Sequence, residues 1–191
     1  MNRIINIGLV LLGTVIFVSQ VYAAQGKAVI KGTATDSKIE GWVTLTEVPE
    51  GLKVEAEVKN VSPTGKHGFH IHENGSCEDA GKAAGGHFNP DGVSHGLLEK
   101  DGHEHAHAGD LGNIEIKEDG TGKLDALLAG ASLTEGKYNV NGKSVILHEK
   151  EDDFSQPTGN AGGRIGCGII EVETVGMATP DTKKEEPQEV K

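Results

Sequence analysis

The sequence predicts an all-β fold, an eight-stranded antiparallel barrel or sandwich with two long functional loops. Three observations carry this. Short segments alternate polar and apolar residues with a period of two, and no window shows a convincing 3.6-residue stripe. Glycine supplies 28 of 191 residues, about twice the usual ~7%, with no Gly-X-Y period to suggest collagen. Turn pairs such as Asp119-Gly120 and Asn141-Gly142 punctuate the segments.

Taken in order, the first short apolar run is Ala28–Ile30. Gly41–Thr46 follows, with Val43 and Leu45 on one face and Trp42 on the other. Lys53-Val54-Glu55-Ala56-Glu57-Val58-Lys59 alternates strictly, as a strand with one buried face must. His67–His72, Gly112–Ile116, Leu124–Leu128, Ser144–His148 and Gly168–Val172 complete the set. Eight short strands without helices pack as a sandwich or a flattened barrel. Two gaps exceed the ~12–15 residues usual for a structureless connection in a compact domain: Glu73 to about Asp110, and Glu149 to Gly166. Both are glycine-rich, and histidines stand at their margins.

The ends read differently. Residues 1–23 form a secretory signal peptide: Arg3, an apolar run from Ile4 to Val18, then Val21-Tyr22-Ala23 before the cleavage point. The apolar run is short for a ~20-residue span, which argues against an uncleaved anchor. The product is therefore expected outside the cytoplasm, in the periplasm or the extracellular space, without a stable membrane anchor. Residues 24–175 make the domain. Residues 176–191 are polar, without a core pattern, and read as a disordered tail. The formal net charge is −11, and losing residues 1–23 removes only Arg3 and leaves −12. Such a chain repels phosphate backbones, so nucleic acid is excluded as a partner. Exposed aromatics are enriched at interfaces, so Trp42 marks a face suited to a homodimer.

Nine histidines in an acidic chain are the unusual number. His70 and His72 lie two apart on a strand, hence on one face. His148 ends another strand; taken alone it reads as a core histidine. The first long loop adds His87, His95, His107 and Asp110. Nitrogen and oxygen donors of this kind suit zinc or copper(II). His103 and His105 read as solvent-exposed.

Five stretches, Gly68-Phe69-His70-Ile71-His72-Glu73, Gly85-Gly86-His87-Phe88-Asn89-Pro90, His107 to Asn113, His148 to Asp153 and Gly159 to Gly168, resemble the motifs of the copper/zinc superoxide dismutase family, in family order and across about residues 27–174. The resemblance implies a Greek-key barrel, one copper and one zinc ion per chain, and superoxide as substrate. It implies copper on His70, His72, His87 and His148, and zinc on His87, His95, His107 and Asp110. Seven residues then fill two four-coordinate sites because the His87 imidazole bridges them. It further implies that Asp152 hydrogen-bonds His70 and His95, that Arg164 holds the substrate anion, that His87 relays a proton, and that Cys77 and Cys167 form a disulfide. His67 matches a structural histidine. Two departures stand out. His103-Glu104-His105 leaves a second register in which His105 replaces His107, though the run from His107 to Asn113 favours His107; the loop from His148 to Arg164 looks shorter than in the animal cytosolic branch, so its steering charges do not map, and Lys150 is a further positive charge in it. A metal carrier without catalysis on the same fold is the alternative function, since fold alone does not fix activity. It should lack ligands or the arginine, and this chain lacks neither.

Overall fold

A computed structural model describes residues 24–173; the signal peptide and tail expected at 1–23 and 176–191 lie outside the described residues. Nine strands are present: β1 Gln25–Gly32, β2 Glu40–Val48, β3 Gly51–Lys59, β4 Gly65–His72, β5 Asp110–Ile116, β6 Gly122–Ala129, β7 Ser144–His148, β8 Arg164–Ile169 and β9 Glu171–Glu173. Their spatial order is β2-β3-β6-β5-β4-β7-β8-β1-β9, and β1 also pairs with β2. That last pairing, Val29 opposite Trp42, closes the sheet into an antiparallel barrel of β1 to β8. The short β9 continues β8 beyond Ile170 along β1. The chain crosses between non-neighbouring strands from β3 to β4 and from β6 to β7, which is the Greek-key connection.

Period two explains the core. Ala28, Ile30, Val43, Leu45, Val54, Ala56, Val58, Ile114 and Leu128 all turn inward and are buried. Strands β4 and β7 depart from simple alternation because nearly all of their residues are buried on both faces. Phe69, Ile71, Val145 and Leu147 fill the barrel. The alternate residues face outward beneath the long loops. His70 pairs with Ile146 and His72 with Ser144, so these side chains share the outer face. The sites are thus built on the outside of a rigid wall.

Two details differ from the sequence reading. The first long loop contains a short 3-10 turn, Lys82–Ala84, and one turn of α-helix, Leu98–Asp101, both too brief to leave a periodic signal. The second loop ends at Gly163, because Arg164 already lies on β8 opposite His148. The connection between β6 and β7 adds buried Leu133 and Val140 to the core. No helix among the described residues is long and apolar enough to cross a membrane.

Candidate metal centre

The outer wall and the first long loop bring seven residues into two groups that share one member. His70, His72, His87 and His148 form the first; His87, His95, His107 and Asp110 form the second; within each, the ligand-type atoms lie within 4.8 Å of one another. All seven are buried. His107, not His105, enters the second group, the register that the run from His107 to Asn113 favours. His105 is exposed. His103 turns away, its Nε2 donating to the Ala129 carbonyl at 2.7 Å. His67 spans the carbonyls of His148 and Pro63 at 2.8 and 2.9 Å and belongs to neither group.

In the first group one nitrogen of each ring is held while the other faces inward. His72 Nδ1 donates to the Gly85 carbonyl at 3.0 Å, and His148 Nδ1 lies 3.4 Å from the Gly162 carbonyl. Carbonyls only accept, so the lone pairs are on the two Nε2 atoms, which stand 3.3 Å apart. His70 donates from Nε2 to Asp152 at 2.8 Å, and its buried Nδ1 has no hydrogen-bond partner. Lone pairs converging without a proton between them fit a cation, and an all-imidazole set fits copper. Burial first, and then the charge of neighbouring His87, push His72 down to about 2. Burial and the neighbouring histidines hold His148 near 3. These rings are neutral and ligand-ready at physiological pH.

The second group converges on one carboxylate. His87 Nδ1 and His95 Nδ1 approach the Asp110 oxygens at 2.8 Å, and His107 Nδ1 at 3.2 Å. His87 Nδ1 and His107 Nδ1 are only 3.4 Å apart. His95 Nε2 already donates to Asp152 at 2.9 Å. Without a metal, its Nδ1 needs a second proton to face Asp110; a cation between them removes that need. Burial opposes such a charge, but the two aspartates outweigh it and raise His95 to about 9. Burial of Asp110 favours its neutral form, yet the bonds from His107, His87 and His95 hold it far below the usual carboxylate range. Three imidazoles and one carboxylate are a donor set suited to zinc.

Asp152 joins the groups: its Oδ2 takes His70 at 2.8 Å, and His95 Nε2 lies 2.9 and 3.0 Å from its two oxygens. Burial works against its charge, but these bonds keep its pKa well below normal. Its backbone is fixed in turn by Asn113, which accepts from the Asp152 amide at 2.8 Å and donates to its carbonyl at 2.9 Å. The turn at Gly159 must pass close by. A Cβ there would lie 1.8 Å from Asp152 Oδ1, and φ is +73°, so only glycine fits. Gln156 makes the matching pair of bonds to the main chain of His95. Neither Asn113, on β5, nor Gln156, in the second loop, is a site residue that the sequence marks, because an isolated amide carries no spacing signal.

Arg164 lies at the mouth. Its guanidinium donates to the carbonyls of Gly81 at 2.6 Å and Gly85 at 2.5 Å. It lines a cavity of about 170 Å³ with His72, His87, His148, Thr158 and Asn160. That space suits a very small anion. Larger hollows lie on the outer barrel wall and contain none of these histidines. Cys77 and Cys167 are joined, tying the first loop to β8. Lys150 packs its methylenes over Gly162, at the margin of the same cavity.

Comparison with known proteins agrees with this chemistry. A family model described as copper/zinc superoxide dismutase matches residues 39–170. An extracellular Cu-Zn superoxide dismutase of Drosophila melanogaster is 40% identical over 147 residues, 72% of this chain and 78% of that protein. A Cu-Zn superoxide dismutase of Aquifex aeolicus is 35% identical over 167 residues, 84% of this chain and 96% of that one. Among solved structures, that of the clock protein EA4 superposes with a TM-score of 0.69 at 32% identity, covering 83% of this chain and all of that one.

Proposed function

Since this chain belongs to the copper/zinc superoxide dismutase family, we propose that His70, His72, His87 and His148 hold its copper and that His87, His95, His107 and Asp110 hold its zinc. The chain is a superoxide dismutase with one copper and one zinc, converting superoxide to oxygen and hydrogen peroxide. The observation that supports the ligand assignment is the pairing of inward lone pairs, above all the orphaned His70 Nδ1 and the facing Nε2 atoms of His72 and His148.

When bound, copper supplies one-electron chemistry between its +2 and +1 states, while zinc contributes fixed charge and structure. The chain's own residues do the rest. Arg164 draws the anion into the cavity and orients it by charge-assisted hydrogen bonds, its guanidinium aimed by the loop carbonyls. His87 turns Nδ1 to Asp110 and His107, which leaves Nε2 for the copper group. Nε2 has one lone pair, so it carries a proton only while that lone pair is not given to copper; in that state it donates the proton to the substrate, the second proton coming from water and the electron from bound copper. Asp152 fixes the rings of His70 and His95 and so couples the two sites.

Export completes the reading. The apolar segment at 1–23, the disulfide, and relatives named as extracellular together support a product released from the cytoplasm, with the mature chain starting near Ala24. The face around Trp42, 44% exposed and paired with Val29 at 64%, is the surface for a homodimer. A net charge of −12 leaves nucleic acid outside the partner set.

The test separates the metals. His148→Ala should abolish dismutation and copper binding while one zinc stays. Asp110→Ala should lose zinc first and activity second. Metal analysis showing equal loss of both ions in each variant would contradict the assignment.

A further inference from the structure

We propose that His103 is a positioning residue for the zinc site: stacked on Tyr138 and bonded to Ala129, it latches the segment leading into His107 onto the connection between β6 and β7. The proposal rests on the reading that His95, His107 and Asp110 hold zinc.

His103 lies four residues before His107 and makes no contact with either ligand group. Its ring lies flat on Tyr138, with centroids 3.9 Å apart and planes 11° from parallel. Its Nε2 donates to the carbonyl of Ala129, the last residue of β6, at 2.7 Å. A second fastening lies on the other side of His95. Asp91 pairs with Lys137, whose Nζ lies 5.8 Å from the Tyr138 ring centroid. Residues 91 to 103, which carry His95, are thus pinned at both ends to one short stretch of the opposite connection. Between the pins, Leu98 is buried in the core, as is Ala106 just past the second. The amides of His105 and Ala106 both bond to the Gly102 carbonyl, so the turn that follows His103 is stiff. Moving His103 therefore moves His107.

The functional consequence is kinetic. Buried zinc leaves when this segment opens, and the release rate scales with the open population. A flat stack plus a hydrogen bond to a fixed strand end keeps that population small. No ligand atom is involved, which separates the latch from the coordination itself.

The experiment uses the full chain loaded with both metals. Zinc transfer to excess EDTA is followed by elemental analysis of the protein fraction, and copper by its visible band. His103→Ala should speed zinc release about 10-fold, and Tyr138→Ala, which keeps the bond from His103 to Ala129, by a smaller factor, with the copper band unchanged in both. The double variant should be no faster than His103→Ala, because that variant already removes both the stack and the hydrogen bond to Ala129. His103→Phe keeps the stack and discards the nitrogens, so it should release zinc at an intermediate rate and still hold one tight equivalent. Unchanged release in either alanine variant, or rates that multiply in the double variant, would overturn the latch. Loss of the tight zinc in His103→Phe would overturn it by making His103 a ligand. Copper lost in parallel with zinc would overturn it by making the residue a general stability element. Asp110→Ala serves as the separate control: zinc retained there would sink the ligand reading beneath the proposal, whatever His103 does.

Discussion

Cutting the Cys77–Cys167 bond should damage this protein in two separable ways. The bond spans 90 residues. In the chain-entropy account, a loop of that length stabilises the fold by about 4.6 kcal/mol, an upper estimate because the unfolded chain is never fully free. At this size, ~1 kcal/mol moves the midpoint by roughly 2–4 °C, so Cys77→Ser with Cys167→Ser should lower Tm by about 9–18 °C. The second effect is local. Arg164 is aimed by the carbonyls of Gly81 and Gly85, and the Gly81 amide bonds back to the Cys77 carbonyl. The disulfide fastens that whole segment to β8, three residues from Arg164 along the same strand. Without it the guanidinium loses its seat, and activity should fall further than copper content. The assays are scanning calorimetry of the double variant and pulse radiolysis or stopped-flow dismutation normalised to bound copper. A Tm within 3 °C of wild type, or activity per copper unchanged, would refute the respective half of the reasoning.

Other outcomes follow from the same geometry. Arg164→Glu should cut kcat/KM by at least ~10-fold, about 1.4 kcal/mol in the barrier, with copper unchanged since Arg164 is not a ligand. The wild-type rate should fall as ionic strength rises, and that dependence should weaken or invert in the variant; a wild-type rate that rises with salt would mean that the global charge dominates. Trp42→Lys should raise the monomer fraction in sedimentation, and an undisturbed dimer would put the interface elsewhere. N-terminal sequencing of the exported protein should read from near Ala24, and a sequence still starting at Met1 would remove the signal-peptide assignment.

Much of the site was legible along the chain because its ligands obey local geometry. His70 and His72 are two residues apart on one strand, so period two alone puts them on one face. His107 and Asp110 are three apart in one turn. The seven chemistry-bearing residues are of types that rarely gather without cause, and motif resemblance gave each a role. Alternation along β3 likewise exposed its own buried face. What the chain order cannot express is which loops meet. His107 opens the run to Asn113 that carries the resemblance and His103 does not, but only the path of the loop sets His103 under Tyr138 and His107 against Asp110. Asn113 on β5 and Gln156 in the second loop look like any amides until folding sets them against the main chains of Asp152 and His95. The start of the strand at Arg164 reads as loop because glycines flank it on both sides. Trp42 was expected on an outer face from alternation alone, but its neighbour Val29 became visible only through the β1–β2 register that closes the barrel. Local periodicity and residue chemistry are written in neighbours a few positions apart. Closure, loop docking and the hydrogen bonds that orient each ring depend on contacts some tens of residues apart, and those exist only once the chain has folded.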